Sequence, residues 1–66
     1  MKYSGLSDDP KRIKAVRGNP EDFRIIQQFT SENSARQWER RMLNQGYEKD
    51  TSGNGWKYGF TYSLRR

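Results

Sequence analysis

Trp56-Lys57-Tyr58-Gly59-Phe60-Thr61-Tyr62-Ser63-Leu64 places a large apolar or aromatic side chain at every second position. Lys57, Gly59, Thr61, Ser63 and, one step further, Arg65 fill the alternate positions. Successive side chains of a strand point to opposite faces, so the run predicts a strand with one aromatic face and one small, basic face. Five bulky side chains on one face need an apolar layer to cover them, which makes this run the anchor of the fold.

Upstream of it, Ser52-Gly53-Asn54-Gly55 is turn chemistry, because Asn-Gly tolerates the positive φ angles of a type I′ hairpin. Tyr47–Thr51 is then the partner strand, giving a C-terminal β-hairpin over about 47–64. A two-residue loop at Asn54-Gly55 pairs Tyr47 with Tyr62 and Thr51 with Tyr58. A four-residue loop pairs Asp50 with Lys57 and Tyr47 with Phe60. The aromatic face stays whole in both registers.

Before the hairpin comes an amphipathic helix over about 32–45. Ser31 suits the N-cap, Glu32 suits the positive first turn, and Gly46 suits the residue past the end. Ala35, Trp38 and Met42 share one stripe with Leu43 at its border. Asn33, Arg36, Gln37, Arg40, Arg41 and Asn44 lie opposite. Trp38 and its neighbours are expected to cover the aromatic face of the hairpin, leaving the strand's other face open and basic.

The remaining third is more ambiguous. Phe23, Ile25 and Phe29 share a strand face over 23–30, with Ile26 opposite and Gln27 the exception. Asn19-Pro20-Glu21-Asp22 is also a good helix start, and Ile25, Ile26 and Phe29 cluster on a helical wheel. Ser7-Asp8-Asp9-Pro10 opens a short helix that Lys14, Arg17 and Gly18 would close. Arg12–Arg17 also reads as a short strand. Residues 1–9, polar apart from Tyr3 and Leu6, read as a flexible arm, and 10–66 as a single small α+β domain. The architecture expected is a small antiparallel sheet with helix 32–45 on one face and the C-terminal hairpin. The alternative is a winged helix, with short helices at about 9–17 and 20–29.

Composition narrows the function classes. The chain has 66 residues and neither Cys nor His, which excludes disulfides, thiolate or imidazole metal sites, and Cys or His catalysis. Only 30% of residues are hydrophobic, against ~45–50% for a usual domain on a count that includes Gly. The margin of such a core is small, and hydrogen bonds, a partner or a homodimer must add to it. No signal peptide or apolar span is visible, so the expected location is cytoplasmic, with no membrane partner. Thirteen Lys and Arg against eight Asp and Glu leave a charge of +5, which favours an anionic partner.

Catalysis finds little support: no Ser has a base other than Lys or a carboxylate, and no carboxylate pair stands out. Gly53-Asn54-Gly55 lacks the downstream Lys-Ser/Thr of a phosphate loop. No cofactor or metal is expected. The helix face is more suggestive. Arg36, Arg40 and Arg41, interleaved with Asn33 and Gln37, are the donors that bond guanine and adenine edges in a major groove. Exposed helices also carry Arg and Gln simply because these favour helix and stay solvated, and Glu32 and Glu39 are placed to pair with Arg36. Lys57, Arg65 and Arg66 extend the basic set, with Arg24 and Lys14 on the expected open face.

The reading is a small non-enzymatic nucleic-acid binder, DNA above RNA, through Asn33, Arg36, Gln37, Arg40, Arg41, Lys57, Arg65 and Arg66. The alternative is an adaptor or inhibitor module docking on an acidic protein surface. Phe29, Ala35, Trp38, Met42 and Gly46-Tyr47 fall at a spacing that resembles the first β-α-β segment of SPOR domains, which implies glycan binding. The second helix of that family is missing here, and so is an export signal. The same spacing resembles the recognition helix and wing of winged-helix DNA binders.

Overall fold

The computed structural model describes residues 1–64. The elements run β1 (Lys2–Ser7), α1 (Pro10–Val16), β2 (Arg24–Gln28), α2 (Glu32–Asn44), β3 (Glu48–Lys49) and β4 (Tyr58–Ser63). They form a small α+β fold with a four-stranded mixed sheet in the order β2-β4-β1-β3. β4 is antiparallel to both neighbours, and β1 and β3 are parallel.

Local chemistry accounts for the helices. The Asp9 carboxylate caps α1 by accepting from the Arg12 N–H, and Pro10 sits where a missing N–H costs nothing. α2 begins at Ser31, whose hydroxyl accepts from the Ser34 N–H, and closes before Gly46 at φ +98°. Residues 24–28 are strand, where a winged helix requires a helix.

The segment expected to be an arm is the main correction. Residues 2–7 form β1, which lies between β3 and β4 and pairs along its whole length with β4, Tyr3 against Tyr62 and Ser7 against Tyr58. The C-terminal hairpin over 47–64 therefore does not form, since β3 pairs with β1 instead. Two glycines explain why this polar segment wins the central place. Gly5 stands opposite Phe60, and a Cβ on it would come within 2.6 Å of the Phe60 ring. Gly59 stands opposite Leu6, so a small residue meets a large one at both positions. The loop after β3 crosses the end of β1: the Asp8 N–H donates to the Asn54 carbonyl at 2.7 Å, and the Asp8 carboxylate accepts from Trp56 and Lys57 N–H. Asn54-Gly55 serves this crossing rather than a two-residue hairpin.

The core lies on both sides of the sheet. Phe60 and Tyr62 pack with Ile13 of α1, and Tyr3, Phe23 and Leu64 pack against them. Leu6, Phe29, Ala35 and Trp38 form a second cluster, with Met42 and Trp56 at its margin. Helix α2 thus covers the small-residue face of β4, not its aromatic face. Gly59 permits this, because a Cβ there would stand 2.8 Å from the Trp38 ring. Phe23 and Phe29 reach opposite clusters although both are at odd positions. A register shift between Ile25 and Gln27 supplies one extra residue and reverses the alternation between them.

Candidate nucleic-acid interface

The inner side of α2 buries Ala35 and Trp38, with Glu39 at its margin, which leaves Asn33, Arg36, Gln37, Arg40, Arg41 and Asn44 exposed. At 1.5 Å rise per residue these side chains extend along a stripe of about 17 Å. The stripe is not electrostatically uniform. The Arg36 guanidinium lies 3.3 Å from the Glu32 carboxylate and 3.5 Å from that of Glu39, and Lys49 is 4.0 Å from Glu39. Arg40 and Arg41 form no ion pair among the described residues. Free positive charge is therefore concentrated in the C-terminal half of the helix.

Lys57 is exposed, and its carbonyl accepts from the Phe29 N–H at 2.7 Å, two residues before the α2 cap. It therefore lies near the N-terminal end of α2. Arg65 and Arg66 lie outside the described residues.

The open basic sheet face expected from the alternation is not there. Thr61 and Gly59 are buried on the side where α2 packs, and the exposed residues on that side, Arg24 opposite Thr61 and Lys2 opposite Ser63 among them, lie around that buried centre. Lys14 belongs to α1, whose Ile13 packs on the other side. A small residue alternating with aromatics signals an open face only if no helix needs close approach to the backbone, and Trp38 needs it.

A second basic group is not legible in the sequence, because Lys2 lies in a segment that reads there as an arm. Lys2, Arg24, Tyr47, Thr61 and Ser63 line a shallow hollow, with the Lys2 ammonium 5.8 Å from the Tyr47 ring centroid. Asp22 also borders it and accepts from the Ser63 N–H at 2.9 Å. Hydrogen bonds from the Ser63 hydroxyl and backbone hold the Asp22 carboxyl below its usual range.

The most buried carboxylate is that of Asp50, at the end of β3. It accepts from the Arg17 guanidinium at 3.2 Å, from the Ser52 N–H at 2.8 Å and from the Tyr62 hydroxyl. Burial pushes this carboxyl up, but the hydrogen bonds from Ser52, Tyr62 and Arg17 outweigh it and keep Asp50 below the ordinary carboxylate range. Burial first, the hydrogen bond to Asp50 second and the Asp50 charge third push the Tyr62 phenol well above its ordinary value. With its oxygens committed to these donors, Asp50 ties the end of α1 to β4 through Arg17 and Tyr62.

No helix is long and apolar enough to cross a membrane among the described residues. No protein-family model matches the chain, and neither a curated protein nor a solved structure matches it.

Proposed function

We propose that the protein is a small non-enzymatic nucleic-acid binder, with DNA as its preferred target, that contacts phosphates through Arg40 and Arg41 and base edges through Asn33 or Gln37. The observation that carries this reading is the exposure of Arg40 and Arg41 with no carboxylate partner among the described residues, on a helix anchored by Ala35 and Trp38. Arg36 contributes less, because Glu32 and Glu39 already offset its charge. Lys57 and the Lys2–Arg24 pair are secondary phosphate contacts.

Fluorescence anisotropy with random duplex DNA, single-stranded DNA and RNA, titrated at several salt concentrations, tests the reading. Binding is expected to weaken steeply with salt, as counterion release requires. Replacing both Arg40 and Arg41 by Ala is expected to reduce the log–log salt slope by about 2, roughly one per lost phosphate contact, and Arg36→Ala by less. Undetectable or salt-independent binding overturns the proposal, and affinity for an acidic protein that survives nuclease treatment would redirect it.

A further inference from the structure

The loop between β3 and β4 holds the end of β1 through Asp8. The Asp8 N–H donates to the Asn54 carbonyl at 2.7 Å, and its carboxylate accepts from the Trp56 and Lys57 N–H groups, both at 3.3 Å. A side chain at position 55 would collide with that carboxylate, so the crossing admits only Gly55, at φ +89°. Asn54 and Gly55 are both exposed. The chain has four asparagines, and they differ in the N–H that follows each of them. Asn19 precedes Pro20, which has none. The Ser34 N–H after Asn33 donates to the Ser31 hydroxyl at 3.3 Å, and the Gln45 N–H after Asn44 donates to the Met42 carbonyl at 3.0 Å. The Gly55 N–H after Asn54 has no partner among the described residues.

We propose that Asn54 is a site of spontaneous covalent modification, in which its side chain closes on the Gly55 nitrogen and its amide is lost. Asparagine is a thermolabile residue, and here nucleophile and electrophile share one short, exposed stretch of chain. The Gly55 nitrogen, deprotonated by solvent, attacks the Asn54 Cγ. The new N–C bond forms, the bond from Cγ to the amide nitrogen breaks, and that nitrogen takes up a proton and leaves as ammonia. Water then opens the resulting succinimide at either carbonyl. Opening at Cγ leaves aspartate at position 54. Opening at the main-chain carbonyl leaves isoaspartate, whose backbone runs through Cβ and Cγ and is longer by one methylene. Both products place a carboxylate next to Asp8 and lower the charge of +5 by one. In the isoaspartyl product the longer backbone also carries Trp56 and Lys57 away from the Asp8 carboxylate that binds their N–H groups. The modification therefore loosens the crossing that holds β1 between β3 and β4.

Incubation of the folded protein in mildly alkaline buffer at body temperature, followed by peptide mapping with mass spectrometry, tests the proposal. Amide-to-acid conversion is expected in the peptide that holds Asn54, with Asn33 and Asn44 unchanged. Cation exchange is expected to resolve a new species with one positive charge fewer, and electron-transfer fragmentation to find both aspartate and isoaspartate in it. Asn54→Gln, which would have to close a six-membered ring, is expected to suppress that species without changing the circular dichroism spectrum. The urea midpoint of the isolated isoaspartyl form is expected to lie below that of the starting protein, with Asn54→Asp between the two. No conversion at Asn54, conversion only in the urea-unfolded chain, or equal conversion at Asn33 or Asn44 overturns the proposal, as does an isoaspartyl form as stable as the starting protein. Because nucleic acid is absent from all of these measurements, their outcome is independent of the binding reading above.

Discussion

On one face of β4, Phe60 and Tyr62 stack with Phe23 and Tyr3, at centroid separations between 5.2 and 5.7 Å. On the other, Gly59 and Thr61 present almost no side chain, and α2 supplies the bulk through Trp38, which meets Phe29 at 5.7 Å. The aromatic side is filled from the sheet itself and from a short helix and loop, whereas the small side is filled by one long helix approaching the backbone. A long amphipathic helix therefore does not have to seek the most apolar strand face. It packs where the sum of side-chain volumes fits, and here the volume is on the helix.

The strongest way to break this comparison is to empty each side in turn. Phe60→Ala and Trp38→Ala are each expected to cost about 3–5 kcal/mol, enough to unfold most of a small domain, as read by urea denaturation. Comparable losses would show that both layers are needed, and a small loss for Trp38→Ala would mean that α2 is dispensable for folding.

Filling the small side should also be costly. Gly59→Val is expected to destabilise by about 1–3 kcal/mol, because even a Cβ would lie 2.8 Å from the Trp38 ring and 3.0 Å from Phe29. A neutral result in the same denaturation assay would contradict the close approach of α2.

The aromatic side differs in a further respect: a buried polar network runs through it. Tyr62→Phe keeps the stacked ring and removes one donor to Asp50, with an expected cost of about 1 kcal/mol. Since the folded state holds the Tyr62 phenol neutral above its ordinary value of 10.0, stability is expected to fall as pH rises past that value. The variant should flatten that alkaline decline. At the acid end the sign is opposite. Asp50 and Asp22 are both held below the ordinary 3.8, so their contribution is present above that pH and lost as pH falls through the lower folded values. Denaturation midpoints across pH check both arms.

The smallest effect belongs to the outer surface of α2. Replacing Arg40 and Arg41 by Ala is expected to change stability by no more than about 0.5 kcal/mol, because neither is buried or paired among the described residues. Equilibrium unfolding alongside the anisotropy titration separates a binding defect from a folding one.

The sequence by itself determined what depends on neighbours in the chain. The cap at Ser31, the stop before Gly46, the stripe of Ala35 and Trp38 and the strand at 58–63 follow from local sterics and hydrogen bonding, whereas the helix capped by Asp9 and the strand at 24–28 each had a local alternative that the fold resolved. The exposure of Asn33, Gln37, Arg40 and Arg41 follows from the same stripe. Tertiary structure decided what depends on which segments meet. It moved residues 2–7 from an apparent arm to the middle of the sheet, because Gly5 and Gly59 fit opposite Phe60 and Leu6. It put α2 on the small face of the opening run, and it sent Phe23 and Phe29 to opposite cores through the extra residue near Ile26. The pairs of Arg36 with Glu32 and Glu39 are local to the helix, and Arg40 and Arg41 form no ion pair among the described residues. Alternation fixes which side chains share a face, but only the volumes and hydrogen bonds brought together in three dimensions fix what covers that face.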